Sequence, residues 1–381
     1  MVSSFQNKKQ IVDFVKLLLG SNNNKQRQLQ IGIGAGIGVT VVYLALVRFF
    51  RYRRINKLKQ KYPNPRVALY DSAVAEEVFT TTTTIEFPFL SQTSLELALF
   101  RTYAVPSISK ILHATGEFSK QTLKRAEDTG IILAEALDVY EHIERLKKEN
   151  PNVSQEEIDQ QRARSDISIN RLNEIHGKYP IKNGDFVYTL SLFICEPIKW
   201  INKHGWRKLE PLEENAIFRT WYDLGVKMNI EDIPKTLEAM FEFNKTYAQD
   251  NVDFAPSNWK VGKPTVDLLL KLFPSFMGPA ITGAIPATLE TSDIKAFGLE
   301  LPKPWVYRMV HLSFSLHSNI VRYFMFPRWK ALLRTPVKPD PKTNLYKPMY
   351  ELFGEPPYPN GYCIYELGPD KFKPSVCPVK H

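Results

Sequence analysis

Arg171-Leu-Asn-Glu-Ile-His-Gly-Lys-Tyr-Pro-Ile-Lys-Asn-Gly-Asp-Phe-Val-Tyr-Thr-Leu190 is the stretch on which the fold turns. His176 falls near the end of a long helical pattern, just ahead of Gly177, Pro180 and the turn Asn183-Gly184. Asp185 is then placed to cap a second helix running through Phe186, Leu190, Phe193 and Ile194 toward Trp200. A histidine one turn before a helix end can be held rigidly with one ring nitrogen turned toward neighbouring helices. That placement suits an iron ligand, and it suits an ordinary packed histidine equally well.

Outward from this stretch the text stays helical. Ser154-Gln-Glu-Glu157 is a capping box that starts the helix ending at His176. Before it, one long helix is predicted from about 119 to 146, with Leu123, Ile131, Leu133, Ala134 and Leu137 inward. Its later turns are charged, so His142 reads there as solvated. After it, helices are predicted at 183–204, 211–228, 231–248, 259–273 and 302–333. Thr80 to Thr84 reads as an extended link, and alternation of the β type is nearly absent elsewhere. The soluble part is therefore expected to be all-α, in one domain over 67–335. Prolines 336, 339, 341, 356, 357 and 359 mark 336–381 as a tail that wraps the domain without a helical core of its own.

The net charge of +10 is a local property. Residues 1–27 carry +4, residues 28–47 carry no charge, and residues 48–66 carry eight basic groups and no acid, leaving 67–381 at −2. An uncharged run, QLQIGIGAGIGVTVVYLALV, continued by Phe49 and Phe50, is long enough to cross a bilayer. It lacks the features of a removable signal peptide, so 28–50 reads as a single transmembrane anchor after a short N-terminal segment (1–27), whose residues 5–19 form an amphipathic run ended by Asn22-Asn-Asn24. The basic segment 51–66 behind it directs the bulk of the chain to the cytosol by the positive-inside rule. Basic charge confined to a membrane edge argues against nucleic-acid binding. Glycines 32, 34, 36 and 38 lack the GxGxxG spacing and βαβ context of a dinucleotide loop. They do form two overlapping GxxxG pairs, through which the anchor could form a homo-oligomer.

Other chemistries find little support. Cys195, Cys363 and Cys377 show no paired or metal-binding spacing, so neither a disulfide framework nor covalent haem is expected, and a reducing compartment fits. No Glu-x-x-His pair occurs, which weighs against a di-iron bundle, and HExxH, GxSxG and P-loop patterns are missing. His311 and His317 are six apart and read as packing residues; His113 and His204 remain candidates for groups beside a ligand.

The second informative constellation is Arg125, Asp128 and Thr129, spaced i, i+3 and i+4 on a partly buried helix face. A cation, a carboxylate and a hydroxyl turned inward need partners or a purpose. An Arg125–Asp128 pair, with Thr129 bonded back to its own helix, would satisfy them without any function.

Taken with His176, these residues resemble the latex-clearing, or rubber, oxygenases, and most closely their fungal membrane-bound branch. The resemblance spans roughly 90–335. It lies in Phe100-Arg-Thr-Tyr-Ala-Val-Pro-Ser-Ile-Ser109, Arg125-Ala-Glu-Asp-Thr129, Asn173-Glu-Ile-His-Gly177 and Asn183-Gly-Asp-Phe-Val-Tyr-Thr-Leu190, and continues through Glu213 to Gly225 and Met228-Asn-Ile-Glu-Asp-Ile-Pro234. No one of these is a strong motif; their order and spacing carry the case. The resemblance implies a globin-like helical core that holds b-type haem, with His176 as the proximal iron ligand and Arg125 and Thr129 on the distal side. In the rubber oxygenases the distal pattern is Arg-x-x-Lys-Thr, and Asp128 stands here at the lysine position, so a resting state closed by lysine is not expected. Asp128 would instead orient Arg125 or handle a proton. The family's distal glutamate has no counterpart; ungapped counting falls on Ser109.

The implied activity is that of a haem oxygenase anchored in the endoplasmic reticulum membrane, facing the cytosol. It would use O₂ to cleave a carbon–carbon double bond in a lipophilic, isoprenoid-like small molecule, as in secondary metabolism. Arg125 would stabilise negative charge developing on dioxygen. Two alternatives stand beside it: a non-catalytic, membrane-tethered haem carrier or scaffold, and a haem peroxidase on the same site.

Overall fold

The computed structural model describes residues 3–354 and 356–374, with side chains from residue 27 onward. The side chains of the expected amphipathic run 5–19, and the last residues of the tail with Cys377, lie outside what it describes. Among the described residues the chain is all-α, with one isolated antiparallel bridge between Tyr346 and Tyr362.

Helix α1 runs without interruption from Ser3–Lys61, so Asn22-Asn-Asn24 does not end it. Ser and Asn each cost a helix only roughly a few tenths of a kcal/mol and Gly20 about 1 kcal/mol, and no proline interrupts the run. Within Arg27–Lys61 an 18-residue stretch reaches a mean hydropathy of 1.9, so the helix is long and apolar enough to cross a membrane. Open space surrounds Gly32, Gly34, Gly36 and Gly38.

The remaining helices are α2 (Val67–Tyr70), α3 (Ser72–Thr80), α4 (Pro88–Thr102), α5 (Pro106–Thr115), α6 (Glu117–Lys120), α7 (Thr122–Leu137), α8 (Val139–Glu149), α9 (Gln155–His176), α10 (Asn183–His204), α11 (Pro211–Lys227), α12 (Leu237–Asn251), α13 (Pro256–Leu270), α14 (Gly278–Ala284), α15 (Thr291–Ala296) and α16 (Pro304–Phe324). Proline at the first turn opens α4, α5, α11 and α13, where its missing N–H costs nothing. The predicted capping box forms at α9, with Ser154 and Glu157 each bonded to the other's backbone N–H.

Three expectations are corrected. Thr81–Glu86 is not extended but a π-helical turn continuing α3, in which Thr83 and Thr84 bond back to the carbonyls of Phe79 and Thr80. The predicted 119–146 helix is two helices, broken at Asp138. The last helix stops at Phe324 rather than 333, ahead of Pro327.

Two units can be distinguished: the helix through Ile55 with Ile320–Pro327, and Asn56–Asn319 with Arg328 onward. In the first, the Tyr43 hydroxyl donates to the Phe324 carbonyl (2.6 Å), and Arg51 donates to the carbonyls of Met325 (2.7 Å) and Phe326 (3.0 Å). The second unit is built around α10, which is buried on nearly all sides and packs on α4, α11 and α12. Asp185 does not cap α10. It lies one turn in and accepts hydrogen bonds from Ser107 and Tyr247, each at 2.8 Å, tying α10 to α5 and α12. Phe100, Tyr103, Phe118, Val261 and Phe297 form a second apolar cluster between α4, α6, α13 and α15.

The segment after Arg328 is a strap without α-helix among its described residues. It covers α7, α8 and α9. Its apolar side chains Tyr362, Ile364 and Leu367 pack on Ile131 and Ile132. Its polar groups add partners to charges buried on α7 and α9. Glu135 pairs with Arg164 (2.6 Å) and accepts the Tyr362 hydroxyl; Glu127 pairs with Arg334. Arg171 donates to the carbonyls of Leu367 and Phe372, both at 2.9 Å. His142 is enclosed rather than solvated: its Nε2 meets the carbonyl and hydroxyl of Thr335 at 3.2 Å. Burial, with Arg164 beside it, holds its pKa down to about 3. Cys195 is a free, buried thiol, whereas Cys363 is disulfide-bonded, against the expectation of unpaired thiols throughout.

Candidate functional site

On helix α7, Arg125 and Thr129 are half-buried and bonded together. The Thr129 hydroxyl donates to the Arg125 carbonyl at 2.9 Å and accepts from the Arg125 guanidinium at 3.4 Å. That double contact, available only at i, i+4, restricts the guanidinium. The Arg125 guanidinium carbon also lies 6.0 Å from the centre of the Phe118 ring.

Asp128 is not part of this pair. It is buried, and it accepts from Lys124 Nζ at 2.8 Å and from the Tyr358 hydroxyl of the strap. Burial raises its pKa above the ordinary aspartate range, with Lys124 the chief opposing influence. Lys124 extends the link, donating to the Gly368 carbonyl at 2.5 Å. The three residues share an arc of α7 but not a set of partners: Arg125 and Thr129 bond to each other, and Asp128 bonds to Lys124 and the strap.

His176 closes α9, where Gly177 follows. Its ring lies 5.4 Å from that of Phe186 at the start of α10. Nδ1 is buried without a hydrogen-bond partner among the described residues. Burial first, and then the positive charge of Arg125, push its pKa down to about 4, so the imidazole is neutral at physiological pH. The same charge reaches Tyr103, whose hydroxyl is nevertheless pushed up to about 12 by burial. The fold thus brings Tyr103, Phe118, Arg125, Thr129 and His176 into one electrostatic neighbourhood, from four separate segments.

Beside it, a cavity of about 520 Å³ is lined by His113, Phe118, Trp259, Lys260 and Lys263 among others. Its size falls within the range of small-molecule sites, roughly 300–1,000 Å³. Phe118 is common to the cavity and to Arg125. Sequence reasoning missed Phe118 and Tyr103. Phe118 precedes Arg125 by seven residues, two turns of an unbroken helix, but the chain breaks at Gln121 and the spacing loses that meaning.

The other histidines have structural surroundings. His204 stacks on His311 (5.3 Å) and meets Phe314 (4.9 Å) between α10 and α16; His317 lies 4.6 Å from Phe89. Ser109, where counting places the missing glutamate, is fully buried and bonded to Asn258 (2.6 Å) and Ser257 (2.8 Å), joining α5 to α13. Arg101, from the motif beginning at Phe100, is buried against Glu196 (2.6 Å) and Asp293 (2.7 Å), a tie between α4, α10 and α15.

No protein-family model matches the chain. Among curated proteins it is similar to the ER-bound oxygenase mpaB' of Penicillium brevicompactum, at 27% identity over 87% of this chain and 86% of the relative. It is similar to the ER-bound oxygenase mpaB of the same organism at 29% identity, over 78% of this chain and 71% of the relative. A protein of the same name from Penicillium roqueforti (strain FM164) is 34% identical over 49% of this chain and 60% of its own length. These homologues bear out the resemblance to the fungal membrane-bound oxygenases read from the sequence.

Proposed function

We propose that the chain is an oxygenase of the endoplasmic reticulum membrane, anchored by α1, that holds b-type haem in a globin-like core. Its substrate would be a long lipophilic, isoprenoid-like molecule, cleaved at a carbon–carbon double bond with O₂. The homologues' names support an ER-bound oxygenase, and the span in α1 fits an anchor. The observation that carries the haem reading is His176: a neutral imidazole with a buried nitrogen that no described residue satisfies. Such a nitrogen costs free energy unless a ligand meets it. A single neutral histidine in an apolar wall, next to Phe186, fits a haem iron ligand.

When bound, haem would supply the redox chemistry that activates O₂ toward the alkene. The protein's part is positional and electrostatic. His176 stays deprotonated because it is buried and faces Arg125, so it offers a lone pair without first losing a proton. Arg125 places a fixed positive charge where negative charge would develop during reaction, and Thr129 restricts its rotamers. Phe118 bounds the same guanidinium with an apolar surface that excludes water. Asp128, committed to Lys124 and Tyr358, fixes α7 against the strap.

The cytosolic orientation rests on the eight basic residues at 48–66. The disulfide at Cys363 is the opposing observation, since disulfides persist in oxidising compartments.

The test of the haem reading is His176→Ala in detergent-solubilised protein. Most haem should be lost while far-ultraviolet circular dichroism keeps its helical amplitude. Full haem content with an unmoved Soret maximum would remove His176 from the site and transfer attention to His113, which lines the neighbouring cavity.

A further inference from the structure

Helix α16 is amphipathic in an unusual sense: none of its residues is fully buried. Its inner side meets the body through His311 and Phe314, against His204 and Trp200, and through His317 against Phe89. Its outer side carries Trp305, Met309, Leu312, Leu316, Ile320 and Tyr323, between 42% and 61% exposed. At 3.6 residues per turn these six positions fall within roughly 80° of one another. A continuous apolar stripe of this kind is rarely left in water.

Two observations identify what covers it. The last turn of α16 belongs to the same unit as the anchor, where Phe324 and Met325 are hydrogen-bonded to Tyr43 and Arg51. Tyr43 lies within the apolar span and Arg51 follows Arg48 in its basic flank, so these contacts sit where the span leaves the hydrocarbon. The composition of the helix then matches that level. Trp305 and Tyr323 mark the two ends of the stripe, and Arg308 and Arg322 border it with positive charge suited to phospholipid headgroups.

We infer that α16 lies in the headgroup–acyl boundary of the bilayer that α1 crosses, its stripe from Trp305 to Tyr323 immersed in lipid. This rests on the anchor reading of α1 and is independent of haem.

The full chain, reconstituted into vesicles of phosphatidylcholine with a minority of phosphatidylserine, is irradiated in the presence of a phospholipid bearing a photoreactive acyl chain. Adducts are then mapped by mass spectrometry. Label is expected both on 28–50 and on peptides carrying Met309, Leu312 and Leu316. The double variant Leu312→Lys/Leu316→Lys should lose the α16 label while keeping that on the span, which also reports that the variant protein is inserted. Label on the span alone would overturn the inference. So would a stripe that stays unlabelled in vesicles but is shielded in native membranes, since that points to a protein partner. Label on neither segment would sink the anchor reading and this inference with it.

Discussion

Gly368 connects the strap to the candidate site through a single backbone position. Its φ of +101° lies in the region that side chains avoid, and an added methyl would sit 2.4 Å from Ile175 Cδ1, in the residue next to His176. In Gly368→Ala the backbone conformation costs about 1–2 kcal/mol. The overlap with Ile175 costs a further ~1–3 kcal/mol, as for other over-packed cores. The expected loss is thus about 2–5 kcal/mol, a large share of an ordinary folding free energy. Gly354→Ala is the control: φ is +80°, but the new methyl would meet nothing within 4 Å, so the backbone cost stands alone. Denaturant titration of the detergent-solubilised protein, read by circular dichroism, should place Gly368→Ala well below Gly354→Ala. Haem retention should fall in the first and hold in the second. Equal midpoints would mean that the strap does not press on Ile175, and the coupling argued here between strap and His176 would be abandoned.

The remaining expectations follow from the same geometry. Arg125→Ala should slow O₂-dependent turnover by roughly 10²–10³-fold with haem content nearly unchanged, the size expected for one preorganised charge; turnover at the parental rate would leave Arg125 and Thr129 as an ordinary intrahelical pair. Asp128→Asn removes the ion pair with Lys124 and breaks no hydrogen bond to Arg125, so it should lower stability by about 1–3 kcal/mol and leave the pH profile of turnover in place; an altered profile would restore Asp128 to proton handling. His142 is neutral in the folded chain down to about pH 3, whereas an unfolded histidine takes its proton near 6.5. Its contribution is complete above that value and is lost as pH falls toward 3, so parental protein should lose about 1.4 kcal/mol per pH unit relative to His142→Gln in that window. Asp138, held protonated up to about 8 by burial and by Glu135, works in the opposite direction, which is why the variant and not pH alone is the reference. A gap that does not change with pH would refute the buried, neutral assignment. Finally, protease added to sealed microsomes should digest residues beyond the span; protection of them would reverse the orientation and agree with the Cys363 disulfide.

The helix–break–helix around His176 was legible because each of its signals is local: the Ser154 box, the glycine after His176, and the apolar run of α10. The span and its basic flank were legible for the same reason. The Arg125–Thr129 contact could be read from an i, i+4 spacing alone. What escaped was everything the strap does. Helical periodicity marks one buried face per helix, and charges elsewhere read as solvated. Here a segment with no periodicity covers a second, charged face, so Glu127, Glu135, Arg164 and Arg171 are buried against sequence logic, and His142 with them. The division of Asp128 from Arg125 has the same origin, since its partner Tyr358 lies 230 residues away.

The strap also imposes an order on biogenesis. Glu135 waits 227 residues for the Tyr362 hydroxyl, and Arg171 waits 196 for the Leu367 carbonyl. At roughly 5–20 residues per second, that is an interval of about 10–45 s during synthesis. Over that interval Glu127 lacks Arg334, and Asp128, Glu135 and Arg171 lack the strap groups that complete their hydrogen bonding. The anchor is translated first and can enter the membrane while the helices behind it are still incomplete. Residues 358–372 of the strap therefore act as a latch, and a protein truncated shortly before residue 358 would lack the contacts through Tyr358, Tyr362 and Leu367 that close it.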